Sequence, residues 1–268
     1  MKLNQLILIP VLLMVGCTSS DGGSTKTDTT LPANDVLIGD NLAIPDNSGK
    51  NEYSILFFGN SHIDGLSTIL ASLIKKGLPA TSITVHEASS QHYLVDRLSD
   101  GTSLDILQKD SWSHVILQAQ KYSQSGVVNY PTVGAQRWTQ LAKQQHATPI
   151  LFPEHPQRGK LLEGQRVYDL HQSIAAKQSA CVAPIGPVWD RVLTLRPELV
   201  LHHGDGNHAS NLGKFLSALV FYQIVSGNSA DLLPYIDSLQ VNAEIQDFLG
   251  QVVSQVLAEH PGCQYQSI

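Results

Sequence analysis

The sequence predicts an α/β protein, a three-layer α/β/α sandwich built around a five-stranded parallel sheet. Short apolar runs recur along the chain, and helical patterns with one apolar face separate them. Continuous apolar runs of this length are typical of strands that are covered on both faces. Their alternation with helices indicates parallel pairing, because each helix returns the chain to the start of the next strand.

The predicted elements follow one another in a regular order. The five strands are placed at 53–58, 83–86, 114–117, 149–152 and 180–183. Helical patterns lie at 66–76, 95–109, 134–145 and 161–178, and two more at 212–225 and 243–259 close the chain. In such sheets, ligands bind at the carboxyl ends of the strands. Polar residues directly after a strand are therefore the first candidates for chemistry.

Composition excludes several classes of protein. The chain has 268 residues, of which 42% are hydrophobic, so it is long enough to bury a substantial core. Whole-chain disorder requires few apolar residues and is excluded. The formal net charge of −6 argues against a nucleic-acid partner, because binding phosphates requires a surplus of lysine and arginine.

The first residues predict export and lipid attachment. Lys2 precedes an apolar run, 6–15, that is too short to span a bilayer, as expected of a signal peptide at 1–16. The run ends in Met-Val-Gly-Cys, which resembles the bacterial lipobox and predicts that Cys17 is lipidated. Thr18 after that cysteine favours the outer membrane, so we expect a cell-envelope protein that meets the membrane only through its anchor. The alternative is an ordinary signal peptide with an incidental cysteine.

A spacer and one domain are predicted to follow the signal. Residues 17–51 are rich in small polar side chains that cannot offset the entropy of ordering, which predicts a flexible tether. Two short apolar stretches, 36–38 and 42–44, have the alternative of lying along the domain surface. The domain is expected at 52–263, with a C-terminal tail at 264–268.

Two cysteines remain in the predicted domain. An exported chain meets oxidants, so we expect Cys181 and Cys263 to form a disulfide that ties the C-terminal end to the fifth strand. Two separate buried thiols are the alternative.

Ser61 is the first candidate for catalysis. The loop after the first strand reads Gly-Asn-Ser-His, 59–62, which places this serine at the carboxyl edge of the sheet and near a helix N-terminus. There its hydroxyl can act as a nucleophile while its backbone N–H meets the oxyanion. The alternative is a plain helix cap, and the Gly-x-Ser-x-Gly elbow of other serine hydrolases is absent.

Asp205 and His208 provide the matching base. They lie three residues apart in a glycine-rich segment, a spacing that lets the carboxylate hold one imidazole nitrogen while the other faces a partner. A role for Asp205 in the turn alone is one alternative. A metal site is another, but His202 and His203 are adjacent and face opposite ways in extended chain. We expect no metal ion and no cofactor.

These two loops together resemble the SGNH (GDSL-like) hydrolase superfamily. Gly-Asn-Ser stands where Gly-Asp-Ser is commoner, and Asp205-x-x-His208 matches the C-terminal motif. Three further segments support the resemblance: 112–120, 183–189 and 205–213. It implies a flavodoxin-like sandwich and metal-free ester hydrolysis, with Ser61 as nucleophile, His208 as base and then acid, and Asp205 as its orienter.

The resemblance also implies an oxyanion hole, and here the sequence departs from the family pattern. The first donor is the Ser61 N–H. The second block normally has glycine, so a backbone N–H from Ser90, or alternatively Gln91, is assigned instead. The third block normally has asparagine, and Gln118, or alternatively Gln120, must supply the side-chain amide.

The substrate is less closely defined by the motifs. His62, Glu154 and His155 follow strands one and four and are candidate substrate contacts, while aromatic residues 122, 130 and 138 are candidates for a sugar-binding rim or for the core. We expect hydrolysis of an acyl or acetyl ester of an extracytoplasmic carbohydrate or of a small ester, with a lipid ester or acyl transfer as alternatives. The altered oxyanion blocks also allow a catalytically inactive surface protein that binds carbohydrate or a partner.

Overall fold

One parallel sheet organises the part of the chain that the computed structural model describes, residues 38–88, 92–160 and 162–265. The strands are β1 (Glu52–Phe58), β2 (Ser82–Glu87), β3 (His114–Leu117), β4 (Thr148–Leu151) and β5 (Cys181–Val182). Their order is β2-β1-β3-β4-β5, and every neighbouring pair is parallel. The predicted five-stranded parallel sheet is confirmed.

Helices cover both faces of the sheet. They are α1 (Leu66–Gly77), α2 (Ser103–Lys109), α3 (Val133–Gln144), α4 (Glu163–Ala175), α5 (Ile185–Leu195), α6 (Asn211–Ser226) and α7 (Ala243–Glu259). Side chains of β1 alternate between the two sides: Ile55 and Phe57 pack with α1, α5, α6 and α7, while Leu56 and Phe58 pack with α2, α3 and α4. This alternation follows from the two-residue period of a strand and gives the predicted three layers.

Two helices differ from the sequence prediction. The pattern at 95–109 yields only α2, because the Asp100 carboxylate accepts the N–H groups of Thr102 and Ser103 and Gly101 has a positive φ of 68°. These features start a new helix there and end the preceding turn. Helix α5 was not predicted as an element; it begins directly after Pro184 and buries Trp189.

The segment 39–50 lies along the domain, although the sequence predicted a flexible tether up to residue 51. Asn47 is 5% exposed, and its amide donates to the carbonyls of Ser113 and His146 and to the Thr148 hydroxyl at 2.9–3.0 Å. These acceptors lie at the amino-terminal edge of β3 and β4. Buried carbonyls need partners, and Asn47 supplies them. We call residues 39–50 the N-terminal strap.

Other contacts hold the strap in place. Lys143 donates to the Asn41 side chain and to the carbonyl of Leu42, both at 2.8 Å, and Ile44 packs against the core. Part of the apolar stretch 42–44 therefore lies on the domain surface, which is the alternative that its sequence offered. Tyr265, in the expected tail, also packs against this core.

A disulfide joins Cys181 to Cys263, with Cα atoms 4.3 Å apart. The backbone N–H of Val182 donates to the carbonyl of Gly262 at 2.7 Å, so the chain after α7 is bonded to the short strand β5. The predicted signal peptide, Cys17 and the residues up to 37 lie outside the described residues. Within the described ranges, no helix is both long and apolar enough to cross a bilayer.

Candidate active site

The loop after β1 places Ser61 at the carboxyl edge of the sheet. Asn60 caps a short 3-10 helix, Ser61–Ile63, by accepting the His62 N–H at 3.1 Å. The chain passes closely over β3 at Gly59, where an added Cβ would lie 2.7 Å from Gln118 Oε1. A side chain at residue 59 would have to displace Gln118 or Ile63, so glycine suits this approach.

The loop between α5 and α6 holds Asp205 and His208. Asp205 Oδ1 accepts the N–H groups of Asn207 and His208 at 2.9 and 3.0 Å, and Gly206 has a positive φ of 73°. The His203 N–H donates to the His208 carbonyl at 2.7 Å and closes the turn. Asp205 therefore shapes the turn as well as facing the histidine ring.

The structure brings the three predicted residues together. Ser61 Oγ lies 2.8 Å from His208 Nε2, and His208 Nδ1 lies 2.6 Å from Asp205 Oδ2. The hydrogen bond from His208 and the two backbone N–H groups lower the pKa of Asp205 far below its usual range. The ionised carboxylate holds the proton on Nδ1, so the Nε2 lone pair faces the hydroxyl. This arrangement can withdraw a proton from Ser61.

Ser61 and His208 open onto a cleft of about 620 Å³. Tyr122, Tyr130 and Glu154 also line it, so its wall combines aromatic rings with polar groups. Trp138, the third aromatic candidate for a rim, is buried in the core instead.

Neither predicted side-chain amide donor is directed at the reacting hydroxyl. Gln118 Oε1 accepts the Asn60 N–H, and its Nε2 donates to Glu154 Oε2, both at 2.8 Å. Gln120 Nε2 donates to the carbonyls of Lys121 and Pro131 at 2.8 and 3.1 Å. Both amides thus serve to hold neighbouring chain. Ser90 and the alternative Gln91 lie outside the described residues.

The three candidate substrate contacts separate into two groups. His62 and Glu154 line the cleft. His155 does not: it is 3% exposed, and its ring stacks on Trp189 with centroids 4.0 Å apart. Burial lowers the pKa of His155 to about 3, so this ring is neutral. Stacking on an indole in the core explains why a residue after β4 fails to reach the cleft.

Asn207 is a cleft residue that the sequence analysis did not single out. Its Nδ2 lies 3.5 Å from His62 Nε2, and its Oδ1 accepts from Gln157 at 2.9 Å. This residue could have been found from its position in the sequence, because it directly precedes His208 and therefore lies near the same cleft.

Comparisons with known proteins bear on the fold. No protein-family model matches the sequence, and no curated protein matches it significantly. A protein from Slackia heliotrinireducens, named as a candidate SGNH hydrolase, is 22% identical with a TM-score of 0.50, covering 64% of this chain and 98% of that one. The chain has the SGNH hydrolase fold.

Two further solved structures share this fold. A candidate GDSL-like lipase from Parabacteroides merdae is 14% identical with a TM-score of 0.50, over 68% of this chain and 99% of that one. A DUF4886 family protein from Bacteroides uniformis is 10% identical with a TM-score of 0.64, over 80% of this chain and 98% of that one. The resemblance read from the motifs is thus confirmed at the level of the SGNH fold.

Proposed function

We propose that this protein is a serine ester hydrolase with Ser61 as nucleophile, His208 as general base and then acid, and Asp205 as the residue that orients His208. The hydrogen-bonded series from Ser61 Oγ through the imidazole to the Asp205 carboxylate carries the proposal. A serine hydroxyl is a poor nucleophile near neutral pH and needs such a base.

The proposed reaction has two halves. His208 Nε2 takes the Ser61 proton as Oγ attacks the ester carbonyl, and the imidazolium is stabilised by Asp205. The C–O bond to the alcohol then breaks, and His208 returns its proton to the leaving alcohol. Water repeats the sequence on the acyl-enzyme and releases the acid, which restores Ser61.

The negative oxygen of the intermediate requires donors. The Ser61 N–H belongs to the first residue of a 3-10 helix, where a backbone N–H has no partner within the helix. It remains the first donor of the proposal, and Ser90 remains the second. Gln118 acts in this proposal by holding the loop that carries Ser61 through the Asn60 N–H.

The substrate that fits the cleft best is a short acyl ester, such as an acetyl ester, of a carbohydrate or another small alcohol. The wall combines Tyr122 and Tyr130 with the polar side chains of Gln120, Glu154 and Asn207. Sugars are bound by this combination, because ring faces pack on aromatic rings and hydroxyls bond to polar groups.

The proposed location is the bacterial cell envelope, with attachment through lipidated Cys17 in the outer membrane. The lipobox resemblance supports this location. Lipid labelling of the full-length chain, with Cys17→Ser as the comparison, tests it. Equal labelling of both proteins would contradict it.

Hydrolysis of 4-nitrophenyl acetate by Ser61→Ala tests the function. We expect kcat/KM to fall by at least about 1000-fold and labelling by a fluorophosphonate probe to disappear. Ser72→Ala is the control, since this α1 hydroxyl bonds to the Thr68 carbonyl. Wild-type turnover in Ser61→Ala would exclude Ser61 as the nucleophile. Absence of both labelling and hydrolysis in the native protein would favour a catalytically inactive binding protein.

A further inference from the structure

A second polar pair lies beside Ser61 and His208 in the cleft. His62 Nε2 is 3.8 Å from Glu154 Oε2, and their side chains are 8% and 16% exposed. The His62 ring also stacks on the His208 ring, with centroids 5.0 Å apart and an interplanar angle of 24°. Glu154 therefore lies in the same cleft as Ser61 and His208, close to where a bound ester would react.

A neutral donor holds the Glu154 carboxylate in place. Gln118 Nε2 donates to Oε2 at 2.8 Å. Burial and the nearby Glu154 carboxylate raise the pKa of the Tyr122 phenol, which lines the same cleft. Among the described residues, no lysine or arginine comes within 4.0 Å of Glu154. In the part of the chain that the structure describes, His62 is the one basic side chain within 4.0 Å of this carboxylate, which faces the cleft.

An ionised carboxylate accepts about four hydrogen bonds, and the Gln118 amide uses one of them. The remaining acceptor positions of the Glu154 carboxylate suit a ligand that carries a hydrogen-bond donor. Hydroxyl groups of a polyhydroxy alcohol meet that requirement, whereas an ether does not. An anionic group in the same place would be repelled by Glu154.

We propose that Glu154, held by Gln118 and flanked by His62 and Tyr122, determines specificity by accepting a hydrogen bond from a free hydroxyl next to the scissile ester. The inference rests on the proposed function and names the alcohol that the site selects. A hydrogen bond to a charged group changes kcat/KM by about 10- to 100-fold when one partner is lost.

Two matched substrates test this inference. One is a monoacetylated methyl glycoside with free neighbouring hydroxyls, and the other is the same monoacetate with those hydroxyls O-methylated. We expect the wild-type protein to favour the first by about 10-fold or more in kcat/KM. In Glu154→Gln, the preference is expected to fall toward one. Glu259→Gln, which alters a carboxylate at the end of α7 that pairs with Arg191 of α5, is the control with the wild-type preference.

A second variant and a second measurement separate the outcomes. Tyr122→Phe removes the phenol hydroxyl next to Glu154, and we expect the preference to fall by about threefold. This variant decides the matter if Glu154→Gln does not fold. The rate of fluorophosphonate labelling reports Ser61 reactivity independently of the alcohol. Equal rates on both glycosides, or an unchanged preference in the folded variants, would overturn the subsite while labelling upholds the hydrolase. Absence of both labelling and hydrolysis in the wild type would overturn both proposals.

Discussion

Gln118 Oε1 accepts the backbone N–H of Asn60, the residue before Ser61, at 2.8 Å. The same amide donates to Glu154 through Nε2. One buried side chain thus connects the end of β3 to the loop that carries the proposed nucleophile and to the Glu154 carboxylate. We expect its conformation to influence where Ser61 lies relative to His208.

Gln118→Leu is expected to lower kcat for 4-nitrophenyl acetate by about 10- to 100-fold. The change leaves the Asn60 N–H without its partner, and small displacements of a reacting group are costly in rate. Kinetics and thermal unfolding, measured together, separate misplacement from loss of fold. Gln172→Leu, which removes an amide bonded to Tyr168 on α4, is the control. Unchanged kcat in Gln118→Leu would show that the contact does not position Ser61.

Asp205→Asn is expected to lower kcat/KM by about 100- to 10,000-fold. Asparagine cannot stabilise the imidazolium with a charge, and its amide does not hold the proton on His208 Nδ1. Since the pKa of Asp205 lies far below its usual range, the native residue remains a carboxylate in mild acid. Steady-state kinetics at neutral and mildly acidic pH provide the measurement. Asp231→Asn, an exposed carboxylate bonded to Ser254, is the matched control, and equal activity of the two variants would exclude the orienting role.

Removal of the Cys181–Cys263 disulfide is expected to lower the free energy of unfolding by about 2–4 kcal/mol. The bridge spans 82 residues and closes a long loop, so its loss gives the unfolded chain more freedom. Urea unfolding of the native protein and of the Cys181→Ala, Cys263→Ala double variant measures the difference. Reductant should destabilise the native protein and leave the double variant unchanged. Identical midpoints for the two proteins would show that the bridge adds no stability.

Mild acid is expected to destabilise the fold through buried histidines. Burial lowers the pKa of His114 and His155 to about 3 and that of His171 to about 4. Between pH 6.5 and about 4, the unfolded chain binds protons that the folded chain does not, so stability falls as the pH falls.

His171→Leu tests one of these groups by removing it. His171 lies in α4, where its ring is hydrogen-bonded to the Val167 carbonyl. From pH 7 to pH 5 the native protein should lose about 2 kcal/mol more than the variant. Urea unfolding at both pH values is the measurement. Parallel losses in the two proteins would mean that His171 titrates normally in the folded state.

The strands and the turn that holds Asp205 and His208 were predictable because each is encoded locally, whereas the pairing of His208 with Ser61 was expected only from the resemblance to the SGNH family. A short apolar run is enough to predict β1 or β3. The turn that holds Asp205 and His208 is formed by residues of a single loop. The role of Gln118 was not predictable, since its two partners, Asn60 and Glu154, lie in the loops that follow other strands. Its distance from Ser61 along the chain gives no sign that it holds Asn60 instead of facing the cleft.

The N-terminal strap was mispredicted for a related reason. Small polar residues resemble a linker when read alone, and Asn47 becomes a structural residue only once β3 and β4 present unpaired acceptors beside it. The burial of His155 likewise depends on its stacking with Trp189, which lies in α5, a helix that was not predicted. The composition of a segment does not show which parts of the fold it will contact, and these contacts depend on the neighbouring residues.

The strap crosses the amino-terminal edge of the sheet, while Ser61 and His208 lie at the carboxyl edge. The chain therefore enters the domain at the end opposite to its cleft. Substitutions in the strap should therefore change the stability of the domain without contacting Ser61 or His208.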